Sequence, residues 1–320
     1  MPESGKSLFD MPPSDMSRLP SYVLITPARN EAQLIPYTLD SVVAQTLRPA
    51  KWVIVSDGAT DGTDEIVQRY AAQHDWIKLA RIPEGARRSF AGKVNAFNAG
   101  YAELGGVHYD IIGNLDADIS FDSEYLAFLM SKFAENPRLG VAGTPYRENN
   151  PSHDVQLMSP THVSGACQLF RRECFEQIGG YQPVSSGGID LIALLGAQAR
   201  GWQTWRFDER SCFHHRNVGS ENHSGIVRRL LNRGRKDYQL GGHPGFEIFR
   251  AAYQMRSKPY VVGGMLMLAG YAWSVLTGVK RTMPEELMAI RQREQVQRLK
   301  DVLRHPFRRG SGQSPAAVRS

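Results

Sequence analysis

The sequence predicts an α/β fold with a largely parallel sheet, and two observations indicate it. Short apolar runs alternate with segments in which apolar residues recur at helical spacing, which is the pattern of strand–helix–strand units. Polar clusters follow three of these runs, at Asn30-Glu31, at Asp57 and at Asp116 with Asp118. Because ligands of open α/β sheets bind beyond the carboxyl ends of the strands, the three clusters predict one shared binding site.

Local signals predict each element in turn, with apolar runs indicating strands and helical spacing indicating helices. In chain order the predicted elements are strand 22–26, helix 34–44, strand 52–55, helix 64–74, strand 77–80, helix 93–104, strand 111–115 and a last core strand at 203–207. We expect Thr63 or Asp61 to cap the second of these helices, since side-chain oxygens accept hydrogen bonds from the free amides of a first turn.

Asp116 and Asp118 follow the predicted strand 111–115 and are spaced i, i+2. In an extended chain such residues point to the same side, so the two carboxylates can converge on one hard cation. Mg²⁺ or Mn²⁺ held in this way usually keeps open positions for phosphate oxygens, which suggests chemistry on a diphosphate. The alternative is a turn with two solvated aspartates, because D-x-D is a short and common string.

The composition is that of an ordinary globular protein. The chain has 320 residues, 42% of them apolar and 22% charged, which suffices for one large domain with an appendage. The three cysteines, at 167, 174 and 212, form neither a C-x-x-C pair nor an even disulfide set, and residues 1–20 lack the apolar core of a signal peptide. These features predict a protein of the reducing cytoplasm with a disordered N-terminal tail.

Charge is distributed unevenly along the chain. Residues 1–227 carry 20 Lys and Arg against 26 Asp and Glu, a net charge of −6, whereas residues 228–320 carry 18 against 6, a net charge of +12. The acidic part holds the predicted cation site. The basic part suggests contact with an anionic surface, either membrane phospholipid or nucleic acid.

Six short segments then resemble, in order, those of family 2 glycosyltransferases. They are ITPARNEA (25–32), VIVSDGATDGT (53–63), AGKVNAFNAGY (91–101), NLDADIS (114–120), HVSGACQLFRRECFEQIGGYQ (162–182) and GGIDLIALLGAQARGW (187–202). The resemblance implies a GT-A fold, a Rossmann-like and mostly parallel sheet flanked by helices, that uses nucleotide-diphosphate sugars. The divisions it suggests are a tail at 1–20, a catalytic domain at 21–227, a basic and apolar helical region at 228–304 that associates with membrane, and a tail at 305–320.

The resemblance also implies roles for individual residues. The donor-binding residues would be Asn30, Glu31, Asp57, Lys93 and Asp116. Divalent Mn²⁺ or Mg²⁺ would be the cofactor, held by Asp116 and Asp118 with His214 or His215 as a third ligand, or either histidine would be structural. Gly165 would leave space for the acceptor, although a plain turn glycine is an alternative.

Asp190 matches the residue that acts as general base in inverting members of the family. A single displacement needs one such base to take the proton of the acceptor hydroxyl. Ile189 stands where the family has a glutamate, so the usual second carboxylate is missing. The alternative for Asp190 is the N-cap of a helix. The Q-x-x-R-W signature of processive polymerases is absent as well, which favours addition of a single sugar.

The C-terminal region contains residues 260–279, a stretch without charge that Arg256 and Lys258 precede and Lys280 and Arg281 follow. Such a segment spans a bilayer, lies on its surface, or packs on the catalytic domain. Residues 282–285 predict a capping box that opens a second amphipathic helix. Its expected apolar stripe consists of Leu287, Ile290, Val296, Leu299 and Leu303.

Together with these observations, the resemblance implies a metal-dependent, inverting glycosyltransferase at the cytoplasmic face of a membrane. The expected partners are a nucleotide-diphosphate sugar, a saccharide or lipid-linked acceptor of surface-polysaccharide synthesis, and the membrane surface, but no nucleic acid. One alternative is a sugar-1-phosphate nucleotidyltransferase, although the loop after the first strand lacks the expected Gly- and Arg-rich sequence. Another is a nucleotide-sugar-binding scaffold without catalysis, which Ile189 supports.

Overall fold

The computed structural model describes residues 19–82, 91–148, 159–184, 186–216 and 223–304. The strands in this part of the chain are β1 Tyr22–Ala28, β2 Lys51–Ser56, β3 Ile77–Arg81, β4 Ile111–Leu115, β5 Ile119–Ser120, β6 Leu139–Gly143, β7 Tyr146–Arg147, β8 Cys167–Arg171, β9 Gln203–Arg206 and β10 Cys212–His214. The helices are α1 Ile35–Val43, α2 Thr63–Gln73, α3 Ala91–Ala102, α4 Tyr125–Glu135, α5 Arg172–Gln177, α6 Ile189–Ala199, α7 His223–Gln239, α8 Pro244–Gln254, α9 Val262–Leu276 and α10 Glu285–Arg304.

A seven-stranded sheet with the order β3-β2-β1-β4-β8-β6-β9 forms the centre of the fold. β1 pairs in parallel with β2 and β4, β2 with β3, and β6 with β9, whereas β8 runs antiparallel to both of its neighbours. The predicted α/β class and mostly parallel sheet are therefore confirmed. Every element predicted from the sequence is present with ends shifted by two residues at most.

The core lies on both faces of this sheet because successive strand residues point to opposite sides. Leu24 and Trp52 belong to a cluster that includes residues of α1 and α4, whereas Val23 and Val53 belong to one that includes residues of α3 and α6. A second sheet of three short strands, β5-β10-β7, closes the region beyond the carboxyl end of β4. The central sheet and this small sheet together position the site described below.

Two predictions about helix ends are corrected by the structure. Gly62, at φ 93°, is the N-cap of α2, and Asp61 instead accepts a hydrogen bond from the Thr63 N–H at 3.1 Å. The prediction of a capping box at 282–285 is wrong, since α10 begins at Glu285. The Thr282 hydroxyl instead contacts Ser186 Oγ at 2.6 Å.

The four C-terminal helices pack on one another and on α6. Leu287 of α10 is buried with residues of α6, and Ile290 packs against that cluster. Val296 and Leu299 of the predicted stripe are half-buried, and the side chain of Leu303 lies outside the described residues. The predicted tails at 1–20 and 305–320 also fall outside them, apart from residues 19 and 20. Among the described helices, none is both long and apolar enough to cross a bilayer.

A buried ionic cluster joins three of these helices. Asp237 of α7 accepts hydrogen bonds from Arg250 at 2.9 Å and from Arg291 at 2.5 Å. Glu247 of α8 lies 3.6 Å from the Arg250 guanidinium and is fully buried. Burial and the nearby Asp237 raise the pKa of Glu247 to about 8, although the Arg250 charge opposes them. Glu247 therefore holds a proton at neutral pH.

We expect Glu247→Gln to reduce the pH dependence of stability. The pKa of Glu247 in the folded protein lies above the value of about 4.3 in an unfolded chain. The stability that Glu247 contributes is therefore fully present below about pH 4 and is lost as the pH rises to about 8. Glutamine cannot ionise, so the variant should gain unfolding free energy relative to the wild type between about pH 5.5 and about pH 8.5. Urea denaturation at both pH values measures this difference.

The matched control for this experiment is Glu286→Gln, which changes an exposed glutamate of α10. It should keep the wild-type pH dependence. Asp237 does not titrate between these pH values. Its guanidinium partners outweigh burial and lower its pKa, so the stability that Asp237 contributes changes only below about pH 4. A Glu247→Gln variant whose stability followed the wild type at every pH would show that Glu247 is ionised when folded.

Candidate active site

The carboxyl ends of β1, β2 and β4 open onto a cleft with two lobes. The first lobe has a volume of about 330 Å³ and the second a volume of about 340 Å³. Lys93, Asp116 and His214 line both lobes, so the two lobes meet at these side chains. The cleft lies where the sequence predicts a shared binding site.

Most of the residues predicted for the site line this cleft. The first lobe adds Glu31, Asp57 and Asp118 to the three shared residues. The second lobe adds Gly165 and Asp190. Three of the predicted donor and metal residues, Glu31, Asp57 and Asp118, therefore lie on one side of the shared residues. The predicted base Asp190 and the predicted acceptor-side Gly165 lie on the other.

Asp116 and Lys93 form an ion pair at the junction of the lobes. The Asp116 N–H donates to the Ala166 carbonyl at 2.8 Å, which holds the chain where β4 ends. Lys93 Nζ, from the first turn of α3, lies 2.5 Å from Asp116 Oδ1. Burial raises the pKa of Asp116 although Lys93 opposes this effect. Lys93 thus places a positive charge at the point where the two lobes meet.

Asp118 contacts His214 and Arg216 on the strand β10 side. Arg216 Nε donates to Asp118 Oδ2 at 2.7 Å, and His214 Nε2 lies 3.4 Å from the same oxygen. Burial alone would raise the pKa of Asp118, but the contacts with His214 and Arg216 outweigh it and lower the pKa to about 2. The same contact with Asp118 raises the pKa of His214. Asp118 is therefore a carboxylate at every physiological pH.

The two adjacent histidines have different surroundings. The ring of His215 stacks on Tyr37, with centroids 4.1 Å apart, and its Nε2 lies 2.8 Å from Ser120 Oγ. His214 instead faces Asp118 and lines both lobes. Of the two alternatives that the sequence left open for a metal ligand, the geometry favours His214.

The donor chemistry of Asp116, Asp118 and His214 fits a divalent ion such as Mg²⁺ or Mn²⁺. His214 Nδ1 is buried without a hydrogen-bond partner and lies 3.3 Å from Glu148 Oε1. Among the described residues, however, no three acidic, histidine or cysteine side chains are grouped closely enough to hold an ion. Lys93 contacts Asp116, and Arg216 contacts Asp118.

Glu31 and Asp57 lie in the first lobe, where each contacts an arginine. The Glu31 carboxylate accepts a hydrogen bond from Arg216 Nη2. Burial raises the pKa of Glu31, and the Arg216 charge opposes this effect. Asp57 Oδ2 lies 3.4 Å from Arg29 Nη1 and close to Gly92, at the start of α3. Both carboxylates are thus placed to accept hydrogen bonds from a ligand in the first lobe.

Asn30 lies in the loop after β1, as predicted. Its side-chain oxygen accepts a hydrogen bond from the Thr60 N–H at 2.8 Å, and its backbone has a φ of 54°. The described linings of the two lobes do not include it. Asn30 therefore holds the loops after β1 and β2 together, and a direct contact with a donor stays a prediction.

Asp190 lies in the first turn of α6 and faces the second lobe. The N-cap of this helix is Gly188, at φ 84°, so the alternative that Asp190 is the N-cap is wrong. A Cβ added at Gly165 would lie 3.0 Å from Asp190 Oδ2 and 2.9 Å from its Cβ. Gly165 thus admits the Asp190 side chain. The Gly165 carbonyl in turn accepts a hydrogen bond from Asn114 at 2.7 Å.

Several residues of the cleft were not predicted from the sequence. Glu148, Tyr181 and Lys236 line the second lobe, and Arg216 lines the first. Arg216 directly follows the two histidines, so its position in the chain was a usable signal. Lys236 belongs to α7 in the C-terminal region, and its place in the cleft depends on tertiary packing.

A profile of the family described as "Glycosyl transferase family 2" matches residues 23–161. The chain carries a family 2 glycosyltransferase domain. Poly-beta-1,6-N-acetyl-D-glucosamine synthase of Staphylococcus aureus is 29% identical to the chain over 147 residues, which are 46% of the chain and 34% of that synthase. The synthase of Staphylococcus epidermidis is 31% identical over 124 residues, 38% of the chain and 28% of that protein. The match thus spans about a third of these curated relatives.

Solved structures show the same fold at low identity. Mannosyltransferase PcManGT from Pyrobaculum calidifontis, solved in complex with GDP-Man and Mn²⁺, superposes with a TM-score of 0.54 and 20% identity, covering 93% of this chain and 78% of the other. S. aureus TarS 1–349 superposes with a TM-score of 0.51 and 14% identity, covering 79% and 70%. At these identities the likeness establishes the GT-A architecture.

Proposed function

We propose that the protein transfers a sugar from a nucleotide-diphosphate donor to an acceptor hydroxyl. One observation carries the proposal: Lys93, Asp116 and His214 stand between two lobes, with Asp57 in the first and Asp190 in the second. A transferase needs this order, because the diphosphate of the donor lies between the nucleoside and the sugar that is attacked. The family 2 domain and the fold shared with a mannosyltransferase support it.

Each lobe then has a distinct task. In the first lobe, Asp57 would accept hydrogen bonds from the base or ribose of the donor. At the junction, the Lys93 ammonium would stabilise the charge that develops on the leaving diphosphate. Asp116, Asp118 and His214 would hold Mn²⁺ or Mg²⁺, which supplies Lewis-acid stabilisation of that same charge. Glu31 would keep Arg216 oriented beside Asp118.

In the second lobe, Asp190 would act as general base. It takes the proton of the acceptor hydroxyl while the oxygen attacks the anomeric carbon and the nucleotide diphosphate leaves from the opposite side. Such a single displacement inverts the anomeric configuration and needs one base, so Ile189 in place of a glutamate does not prevent it. Lys236 lines this lobe and favours an acceptor that carries negative charge, such as a lipid-linked phosphate.

The setting we propose is surface-polysaccharide synthesis, since the curated relatives are poly-beta-1,6-N-acetyl-D-glucosamine synthases. A panel of donors tests the function directly. Purified protein is incubated with UDP-GlcNAc, UDP-glucose or GDP-mannose, each with Mn²⁺, Mg²⁺ or chelator, and release of the nucleotide diphosphate is measured. We expect one donor to be turned over with metal and not with chelator. A protein that binds one donor but turns over none would be the non-catalytic scaffold.

We expect Asp118→Asn to lower metal-dependent donor turnover on the order of 100-fold, because it removes a charged ligand from the proposed metal site. The matched control is Asp208→Asn, which changes an aspartate paired with Arg206 on the surface and should keep wild-type turnover. Equal turnover in Asp118→Asn and the wild type would exclude Asp118 from the metal site.

A further inference from the structure

Helix α9 exposes several large apolar side chains and buries its three glycines. The buried face consists of Gly263, Gly264, Met267, Gly270, Tyr271 and Ser274. The outward stripe, here called the α9 face, consists of Val262, Met265, Ala269, Trp273 and Leu276, at the i, i+3, i+4 spacing of one helix side. Trp273 is 66% exposed and Leu276 is 81% exposed. This orientation is the reverse of that expected for a surface helix in water.

Close backbone packing fixes this orientation. A Cβ added at Gly270 would lie 2.0 Å from the Leu231 carbonyl oxygen, and one added at Gly264 would lie 2.3 Å from the Ala251 carbonyl oxygen. At these two glycines α9 therefore approaches α7 and α8 so closely that no side chain would fit. Rotation of α9 to bury Trp273 would drive a large side chain into this contact. The α9 face is thus held outward by the packing itself.

The apolar surface extends beyond the helix and has basic ends. Tyr260 and Val261, just before α9, are 59% and 55% exposed. Exposed Arg256 and Lys258 precede them, and exposed Lys280 follows α9. Aromatic rings beside apolar and cationic side chains are typical of the interface between a bilayer and water.

We infer that the α9 face docks on the surface of a bilayer that contains anionic phospholipid. α7 and α8 cover the other side of α9, so lipid reaches one side of the helix and the helix lies along the interface. The apolar stripe enters the acyl boundary, and Arg256, Lys258 and Lys280 contact the anionic headgroups.

Charge favours a bilayer over a second copy of the chain as the occupant of this face. Both ends of the α9 face are basic, with Arg256 and Lys258 at one end and Lys280 and Arg281 at the other. A two-fold pairing of α9 faces, in either direction, would place these like charges against one another. An anionic membrane surface is complementary to both ends.

Helix α9 is also connected to the cleft through α7. α7 packs on α9 and carries Lys236, which lines the second lobe. One helix, α7, thus contacts both the docked helix and the second lobe. The inference about the surface itself does not depend on the proposed transferase activity, since it concerns lipid binding.

Vesicle flotation tests the inference. Full-length protein is mixed with phosphatidylcholine vesicles with or without phosphatidylglycerol and centrifuged through a density gradient. We expect flotation with the anionic vesicles that weakens with salt, and a lower bound fraction with neutral vesicles. Trp273→Glu/Leu276→Glu should lower partitioning about tenfold or more, because two exposed apolar side chains are replaced by like-charged carboxylates. Failure of the wild type to float with either vesicle would overturn the inference.

A matched control separates the apolar face from net charge. Ala72→Glu/Gln73→Glu makes the same charge change at exposed positions of α2, which packs on β2 and β3. This variant should float like the wild type. Both double variants should keep the wild-type melting temperature and donor turnover without vesicles, so failure of the docking inference is distinguishable from failure of the proposed function.

A second readout places the α9 face in the membrane without any destabilising change. Lipids brominated in their acyl chains should quench the fluorescence of wild-type protein, and Trp273→Phe should abolish that quenching while flotation persists. Flotation without quenching would assign binding to another basic surface and overturn the inference. Light scattering that showed a dimer in the wild type and a monomer in Trp273→Glu/Leu276→Glu would assign the face to a second copy instead.

Discussion

Asp190→Asn should strongly reduce sugar transfer to the acceptor while donor binding persists. Asparagine keeps the size of the side chain and fits beside Gly165, but it cannot take the proton of an acceptor hydroxyl. General-base catalysis contributes on the order of 10²- to 10⁴-fold, and the structure offers no glutamate at position 189 to replace Asp190. We therefore expect transfer to fall by about 10³-fold. Product formation with the donor found in the panel, together with donor affinity by calorimetry, measures both effects.

The control for this variant is Glu148→Gln, which changes another carboxylate that lines the second lobe. Glu148 faces His214 Nδ1 at 3.3 Å rather than Gly165. We expect the Glu148→Gln variant to change the affinity for donor and metal more than the pH dependence of sugar transfer. Should Glu148→Gln remove transfer and Asp190→Asn retain it, the base would be Glu148 and the assignment of Asp190 would be wrong.

Asp237→Asn should destabilise the protein by about 3 kcal/mol, because it leaves Arg250 and Arg291 with an uncompensated buried charge. The value lies at the lower end of the range for broken buried pairs, since Glu247 can ionise beside Arg250 and replace part of the lost charge. Chemical denaturation at neutral pH measures the free energy of unfolding.

The stability losses caused by substituting Asp237 and Glu247 should not be additive. Asp237→Asn/Glu247→Gln removes both carboxylates and should cost more than the sum of the single substitutions. Asp301→Asn, an exposed aspartate of α10, is the control and should change stability by less than about 0.5 kcal/mol. A loss below about 1 kcal/mol in Asp237→Asn would mean that the cluster contributes little to the packing of the C-terminal helices.

Local sequence signals predicted the elements that form the cleft. β1, β2 and β4 are continuous apolar runs, which is how strands buried on both faces appear in a sequence, and the polar residues after each run mark its carboxyl end. The strand β8 was missed because it lies within a segment recognised by resemblance, and its antiparallel pairing with β4 depends on distant residues.

The remaining differences arise from tertiary contacts that a local pattern does not contain. His214 and His215 are adjacent, so in an extended strand they face opposite sides, and the pairing of His214 with Ile119 of β5 decides which one meets Asp118. The apolar run at 260–279 did not reveal whether its large side chains lie inside or outside. Gly263, Gly264 and Gly270 share one side of a helix, and this spacing was the signal for the small-residue contact.

The central claim is that Asp116, Asp118 and His214 hold a divalent ion against a nucleotide diphosphate, and electron paramagnetic resonance of Mn²⁺ tests it most directly. We predict that UDP or GDP makes the wild type bind about one Mn²⁺, seen as loss of the free-ion signal, and that His214→Ala weakens this binding about tenfold or more. His215→Ala should bind as the wild type does. Nucleotide-dependent Mn²⁺ binding that is absent from the wild type, or that survives His214→Ala and Asp118→Asn, would contradict the account.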